Sequence, residues 1–287
     1  MTNMIVPSID VVISDRTLFD YVQPTPDGYP DDLAAADTAD NLKMMGATDF
    51  PSSLWIEPKD WKTYAADNKL SERKLWPTNF RGRWTNQDPT HECTCHSLCR
   101  GAEIAYAAQH SGAKRIALSQ VGIYGIANPR QWGGAGCLQV LQIAMDVGFI
   151  PENVWGQDKI YKHTMHGTCG KGNADNSSGP WVTERSNPEY FSGAAETRKL
   201  FKPTEIINPR SREEMACCIL HGRAVNVGRD GHAIPLTFLV WEPNQKSEQP
   251  TFGYDDSYDV QRFDTWSRAS KSVDGSSCIW NMTMLPE

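Results

Sequence analysis

The stretch TNQDPTHECTCHSLCRGAEIAYA, residues 85–107, decides the fold expected for this chain. It begins with a polar turn through Asp88 and Pro89 and continues into a segment whose apolar residues recur at helical spacing. Cys93 falls where this helix starts, and the N–H groups and dipole of a helix N-terminus favour a thiolate. Gln87 lies in the preceding turn, where its amide can point at a developing oxyanion. The pattern therefore predicts a cysteine nucleophile at a helix N-terminus.

Farther along the chain, helical patterns give way to strand patterns. A second helix is predicted at 138–147 and is closed by Gly148 as a C-cap. From Ala224 onward the sequence is rich in β-branched and aromatic runs, which favour strands. Helices followed by strands indicate an α+β fold. His232 opens one of the predicted strands and is the candidate base for thiol acylation.

Taken in order, these segments resemble the papain and cathepsin family of cysteine peptidases. The motifs that carry the resemblance are Asn86-Gln87, Cys93 with Ser97 and Glu103, Leu118-Ser119, Gln131-Trp132-Gly133-Gly134, the segment 138–158 and Gly231-His232-Ala233. The 139 positions between Cys93 and His232 fall within the roughly 130–150 positions that this family shows. Thr94 departs from the family, which has an aromatic residue there, so the resemblance is to a divergent member.

The resemblance implies a papain-like fold of two lobes, one helical and one rich in strands, with a cleft between them. Residues 79–287 would form this cysteine peptidase domain. Residues 1–78 would form an irregular N-terminal extension, lying on the domain surface as a strap. We do not expect this extension to be a removable inhibitory segment, because it lacks the helical pattern of the family's pro-segment.

The resemblance also implies the roles of the site residues. Cys93 would attack the substrate carbonyl, and His232 would take and return the proton. Gln87, together with the backbone N–H of Cys93, would hold the oxyanion. Gly133 and Gly134 would form the floor of the substrate cleft. Neither a metal nor an organic cofactor is needed for this chemistry.

The residue that orients His232 is less clearly marked, because the family's Asn-Ser-Trp-Gly motif is absent. An aspartate can orient an imidazole as well as an asparagine can. We favour Asp264, since Trp266 follows it and could cover the hydrogen bond to the imidazole. Asp256, in the run Asp256-Ser257-Tyr258, is the rival.

Composition narrows the partners and the compartment. The net charge of −7 without clustered basic residues argues against nucleic acid or an anionic membrane as partner, and there is no secretory signal or apolar span. Eight cysteines include the adjacent Cys217 and Cys218, and Thr90 replaces the family's bridging cysteine. We therefore predict no disulfides and a reducing, cytoplasmic location. His163, His166 and Cys169 have zinc-ligand spacing, but their Gly/Ser-rich surroundings favour solvated side chains.

The function expected from the sequence is that of a cysteine-type peptidase acting on a polypeptide substrate through a thiol acyl-enzyme. An origin in a bacteriophage or bacterium would suit the absent signal and the divergent triad. The alternative is a papain-like fold used as a virion structural or attachment protein, with a structural protein as partner and vestigial or no activity. A murein-cutting cysteine hydrolase would share the order of Cys93 and His232.

Overall fold

The computed structural model describes residues 39–68, 93–110, 116–120, 123, 136–146, 148–153, 201–229, 232–241, 249–257, 260–269 and 273–284. The α-helices of these residues are α1 (Ala39–Met44), α2 (Trp61–Asp67), α3 (Cys93–Gln109), α4 (Cys137–Asp146), α5 (Arg212–Leu220) and α6 (Trp266–Ala269). The strands are β1 (Thr48–Asp49), β2 (Phe201–Asn208), β3 (Val225–Arg229), β4 (His232–Val240), β5 (Thr251–Asp256), β6 (Val260–Asp264) and β7 (Cys278–Met284). The predicted α+β class is confirmed.

The described strands form two sheets. One has the order β1-β2-β7, with β1 parallel to β2 and β7 antiparallel to it. The other is an antiparallel meander in the order β3-β4-β5-β6. In the meander, consecutive strands are antiparallel neighbours. The start of β4 and the end of β5 therefore lie at the same end of the sheet.

Two hydrophobic cores flank helix α3. The first contains Leu98 from α3 and Leu141 from α4, packed with Phe201 of β2 and Met282 of β7. The second contains Met215 from α5 and the inward face of the meander. A third, small cluster joins Cys93, Cys137 and Ala233. It brings the start of α3, the start of α4 and the start of β4 to one place.

Residues 39–68 contribute to both cores. Leu42 is fully buried in the first core, and Trp61 is 1% exposed in the second. The Trp61 indole donates to the carbonyl of Ile56 at 2.8 Å and lies 5.5 Å from the ring of Trp266. Leu42 and Trp61 therefore belong to the hydrophobic cores, whereas most residues of 48–68 are exposed or half-buried. The boundary expected at residue 78 lies outside the described residues and stays a prediction.

Helix α3 is buried along most of its length, and its polar side chains are paired. Ser97 donates to Asn226 of β3 at 3.0 Å, and Glu103 accepts from the backbone of Leu118 at 2.9 Å. Gly101 allows Asn226 to approach, because a Cβ there would lie 2.7 Å from its Nδ2 atom. These contacts hold α3 against β3 and so fix the position of its first residue, Cys93.

Gly253 of β5 is required by the ring of Phe238, and its replacement by alanine is expected to destabilise the fold. A Cβ at position 253 would lie 2.1 Å from two ring carbons of Phe238, which is buried. Overpacking of this kind costs about 1–3 kcal/mol in the free energy of unfolding, which urea denaturation would measure. Adding Phe238→Leu should recover part of the loss. An unchanged urea midpoint in Gly253→Ala would contradict the described packing.

Candidate active site

Cys93 is the first residue of α3, and its thiol is hydrogen-bonded to His232. Burial alone would raise the pKa of Cys93. The hydrogen bond to His232 and the charge of His232 lower it, as do hydrogen bonds from Ala233 and Thr94, and the net pKa lies below the ordinary value of a thiol. A thiol in this setting is ionised at a pH where an ordinary buried cysteine is not.

His232 is the first residue of β4 and is half-buried. Its Nε2 atom lies 2.8 Å from Oδ1 of Asp256, which leaves Nδ1 for the thiol of Cys93. Burial lowers the pKa of His232, but the hydrogen bonds to Asp256 and Cys93, with the charges of both, raise it to about 9. Because the pKa of Cys93 is lowered and that of His232 is raised to about 9, thiolate and imidazolium coexist in the pH range between these two pKa values.

Asp256, and not Asp264, is the aspartate that contacts His232. In the register of the hairpin, Asp264 lies opposite Phe252, whereas Asp256 lies opposite Val260. Four residues of strand separate Phe252 from Asp256, a distance of about 13 Å. The buried carboxylate of Asp264 lies 3.6 Å from Nε of Arg268 instead. The choice of Asp264 is therefore corrected, because β5 ends at Asp256 beside His232, whereas Asp264 lies at the far end of β6.

Trp266, expected to cover the hydrogen bond of the imidazole, lies elsewhere. Its ring stacks on Phe252 with the centroids 5.2 Å apart and the planes at 10°. The guanidinium of Arg212 lies over the Trp266 ring, with its central carbon 5.2 Å from the ring centroid. Trp266 is thus a core residue of the half of the molecule that carries α5.

Asp256 has a second charged neighbour that the sequence reasoning missed. Its Oδ2 atom accepts from Nε of Arg262 at 2.7 Å, and the hydroxyl of Ser257 lies 3.4 Å from Oδ1. A hairpin prediction with its turn just after Asp256 would have found Arg262, since that turn brings β6 beside β5. Four ionisable groups therefore form a continuous row, from Cys93 through His232 and Asp256 to Arg262.

Other predicted site residues fall outside the description. Gln87, Gly133 and Gly134 all do, so their roles at the oxyanion and the cleft floor stay predictions. The segment with His163, His166 and Cys169 lies outside as well. Among the residues that are described, no three histidine, cysteine or acidic side chains are grouped so as to hold a metal ion. The described helices include none long and apolar enough to span a membrane.

Comparison with solved structures decides the fold. Xylellain, a cysteine protease from Xylella fastidiosa, matches with a TM-score of 0.51 at 13% identity, over 72% of this chain and 84% of that one. The chain has a papain-like fold. The resemblance read from the sequence motifs is confirmed for the fold.

Two further papain-like structures match less closely. The recombinant stem bromelain precursor has a TM-score of 0.47 at 11% identity, over 84% of this chain and 75% of that one. The ragweed pollen allergen Amb a 11, a cysteine protease in its proform, has a TM-score of 0.45 at 9% identity, over 71% and 61%. No protein-family model and no curated protein matches the sequence.

Proposed function

We propose that this chain is a cysteine peptidase, which hydrolyses peptide or isopeptide bonds through a thiol acyl-enzyme. The observation that carries the proposal is that Cys93 contacts His232, whose imidazole is in turn hydrogen-bonded to Asp256. A nucleophile, a base in contact with it and a third group that orients the base are the parts that acyl transfer by a thiol requires. The papain-like fold supports a polypeptide as substrate.

Each of these groups has a role in the acylation and deacylation steps of the proposed reaction. The Cys93 thiolate attacks the carbonyl carbon, and the imidazolium of His232 gives its proton to the leaving amine as the C–N bond breaks. His232, now neutral, takes a proton from water, which attacks the thioester and releases the acid. Asp256 holds Nε2 throughout, so that Nδ1 stays directed at Cys93. The backbone N–H of Cys93 and the amide of Gln87 would stabilise the oxyanion.

Site-selective alkylation tests this proposal. At pH 6, iodoacetamide is expected to modify Cys93 about 100-fold faster than Cys217 or Cys218, whose pKa values burial raises. Peptide mapping by mass spectrometry would give the rate at each cysteine. Cleavage of denatured casein by the same samples should disappear in parallel with modification of Cys93.

Two results would contradict the proposal. If Cys93 reacts no faster than Cys217 and Cys218, the thiolate is not formed and the site is not a nucleophile. If Cys93 reacts quickly but neither casein nor a mixed peptide library is cleaved, the peptidase assignment is wrong. The second result would favour the virion structural or attachment role as the alternative.

A further inference from the structure

The carboxylate of Asp256 is held from two sides. Oδ1 lies 2.8 Å from His232 Nε2, and Oδ2 lies 2.7 Å from Arg262 Nε. The Asp256 side chain is 5% exposed, whereas that of Arg262 is 53% exposed. In the register, Arg262 is opposite Tyr254, two residues before Asp256 on the same face of β5. Arg262 therefore reaches Asp256 as a diagonal cross-strand neighbour.

A carboxylate in this position creates an electrostatic problem for the reaction proposed above. The carboxylate stabilises the protonated form of His232, but its negative charge also disfavours a thiolate on Cys93. An amide would orient the imidazole without that charge. A positive charge close to Asp256 would offset this opposition and favour the thiolate.

We propose that Arg262 is a positioning residue for the proposed peptidase reaction, supplying both the second anchor and the counter-charge of Asp256. The row then alternates in sign, with Cys93 negative, His232 positive, Asp256 negative and Arg262 positive, and it has no net charge. The Nε–H of Arg262 donates to the carboxylate and fixes its plane. A fixed carboxylate plane fixes the imidazole, and with it the direction of Nδ1. This inference rests on the proposed function.

Several of the described elements bring charged groups toward the imidazole of His232. Cys93 faces His232 from α3 and Asp256 faces it from β5, and these two set its ionisation together with burial. On β3, Arg229 is the register partner of His232. Arg262 on β6 acts through Asp256. Its removal deletes a positive charge from the row, which favours the protonated forms of both His232 and Cys93.

The pH dependence of Cys93 alkylation tests this role without any peptide substrate. In Arg262→Gln, the rise of the alkylation rate with pH is expected to move upward by about 0.5–1 pH unit. Arg262→Lys keeps the charge and should shift less. Arg268→Gln is the matched control, since Arg268 is 57% exposed and lies 3.6 Å from Asp264. Its profile should coincide with that of the wild type.

A charge-balanced double variant sharpens the test. Asp256→Asn removes a negative charge, so its alkylation profile should move to lower pH. Asp256→Asn combined with Arg262→Gln has the same net charge as the wild type and should return to within about 0.3 unit of it. If cleavage is detected, Arg262→Gln should lower kcat by about 10-fold with a smaller change in KM.

Each outcome decides the role of Arg262 separately from that of the peptidase. A wild-type alkylation profile for folded Arg262→Gln, or an equal shift in Arg268→Gln, would overturn the inference. A shift confined to Arg262→Gln, reversed in the double variant, supports it even in a protein that cleaves nothing. Thermal unfolding of each variant shows that the compared proteins are folded.

Discussion

Replacement of Cys93 by alanine is expected to lower kcat/KM for peptide hydrolysis by at least about 10⁴-fold. Without the thiol no acyl-enzyme forms, and His232 has no nucleophile to activate. Residual cleavage would come only from binding and from the oxyanion donors. Initial rates on a peptide substrate, measured with purified protein whose folding is checked by circular dichroism, would give the loss.

Cys95→Ala is the matched control for this loss. Cys95 lies two positions farther along α3 and is fully buried in the first core, whereas Cys93 belongs to the separate small cluster with Ala233. Its truncation should cost some stability but leave kcat/KM within a few-fold of the wild type. Cleavage retained by Cys93→Ala, or abolished in folded Cys95→Ala, would remove Cys93 from the role of nucleophile.

The parts of the site that the sequence predicted are those fixed by local signals. Cys93 at a helix start and His232 at a strand start follow from short-range patterns of turn, helix and strand residues. The second helix, expected at 138–147, is α4 (Cys137–Asp146), and Gly148 has the positive φ of 95° that a C-cap requires. The fold class followed because helices precede strands along most of the chain.

The parts that were missed depend on long-range pairing. The segment 251–264 is hard to recognise as strands from its sequence. Its polar site residues interrupt the alternation of apolar and polar side chains that marks a strand. Without the turn, neither the register nor the neighbour of Asp256 could be derived, so Asp264 was preferred and Arg262 overlooked. The burial of Trp61 was likewise not predicted, since only tertiary packing shows that α2 lies against α5 and Trp266.

Replacement of Asp256 by alanine is expected to lower kcat by about 10²–10⁴-fold, while Asp256→Asn should lose only about 10-fold. Alanine leaves Nε2 of His232 without its acceptor, so the imidazole can rotate away from Cys93, and its pKa falls from about 9. Asparagine keeps an acceptor for Nε2. The remaining loss in Asn arises because its NH₂ group must then face the Nε–H of Arg262, a contact between two donors. Steady-state rates across pH 5–10 would separate lost orientation from a shifted pKa.

Asp264→Ala provides the contrast, since Asp264 is also a buried aspartate beside an arginine in this part of the fold. Its carboxylate lies near Arg268, at the opposite end of the β5–β6 hairpin from His232. The variant should therefore lose stability but keep kcat within a few-fold per folded molecule. An inactive, folded Asp264→Ala together with an active Asp256→Ala would mean that the hairpin register described here is wrong. In that case the orienting group would be the aspartate that the motif spacing alone favoured.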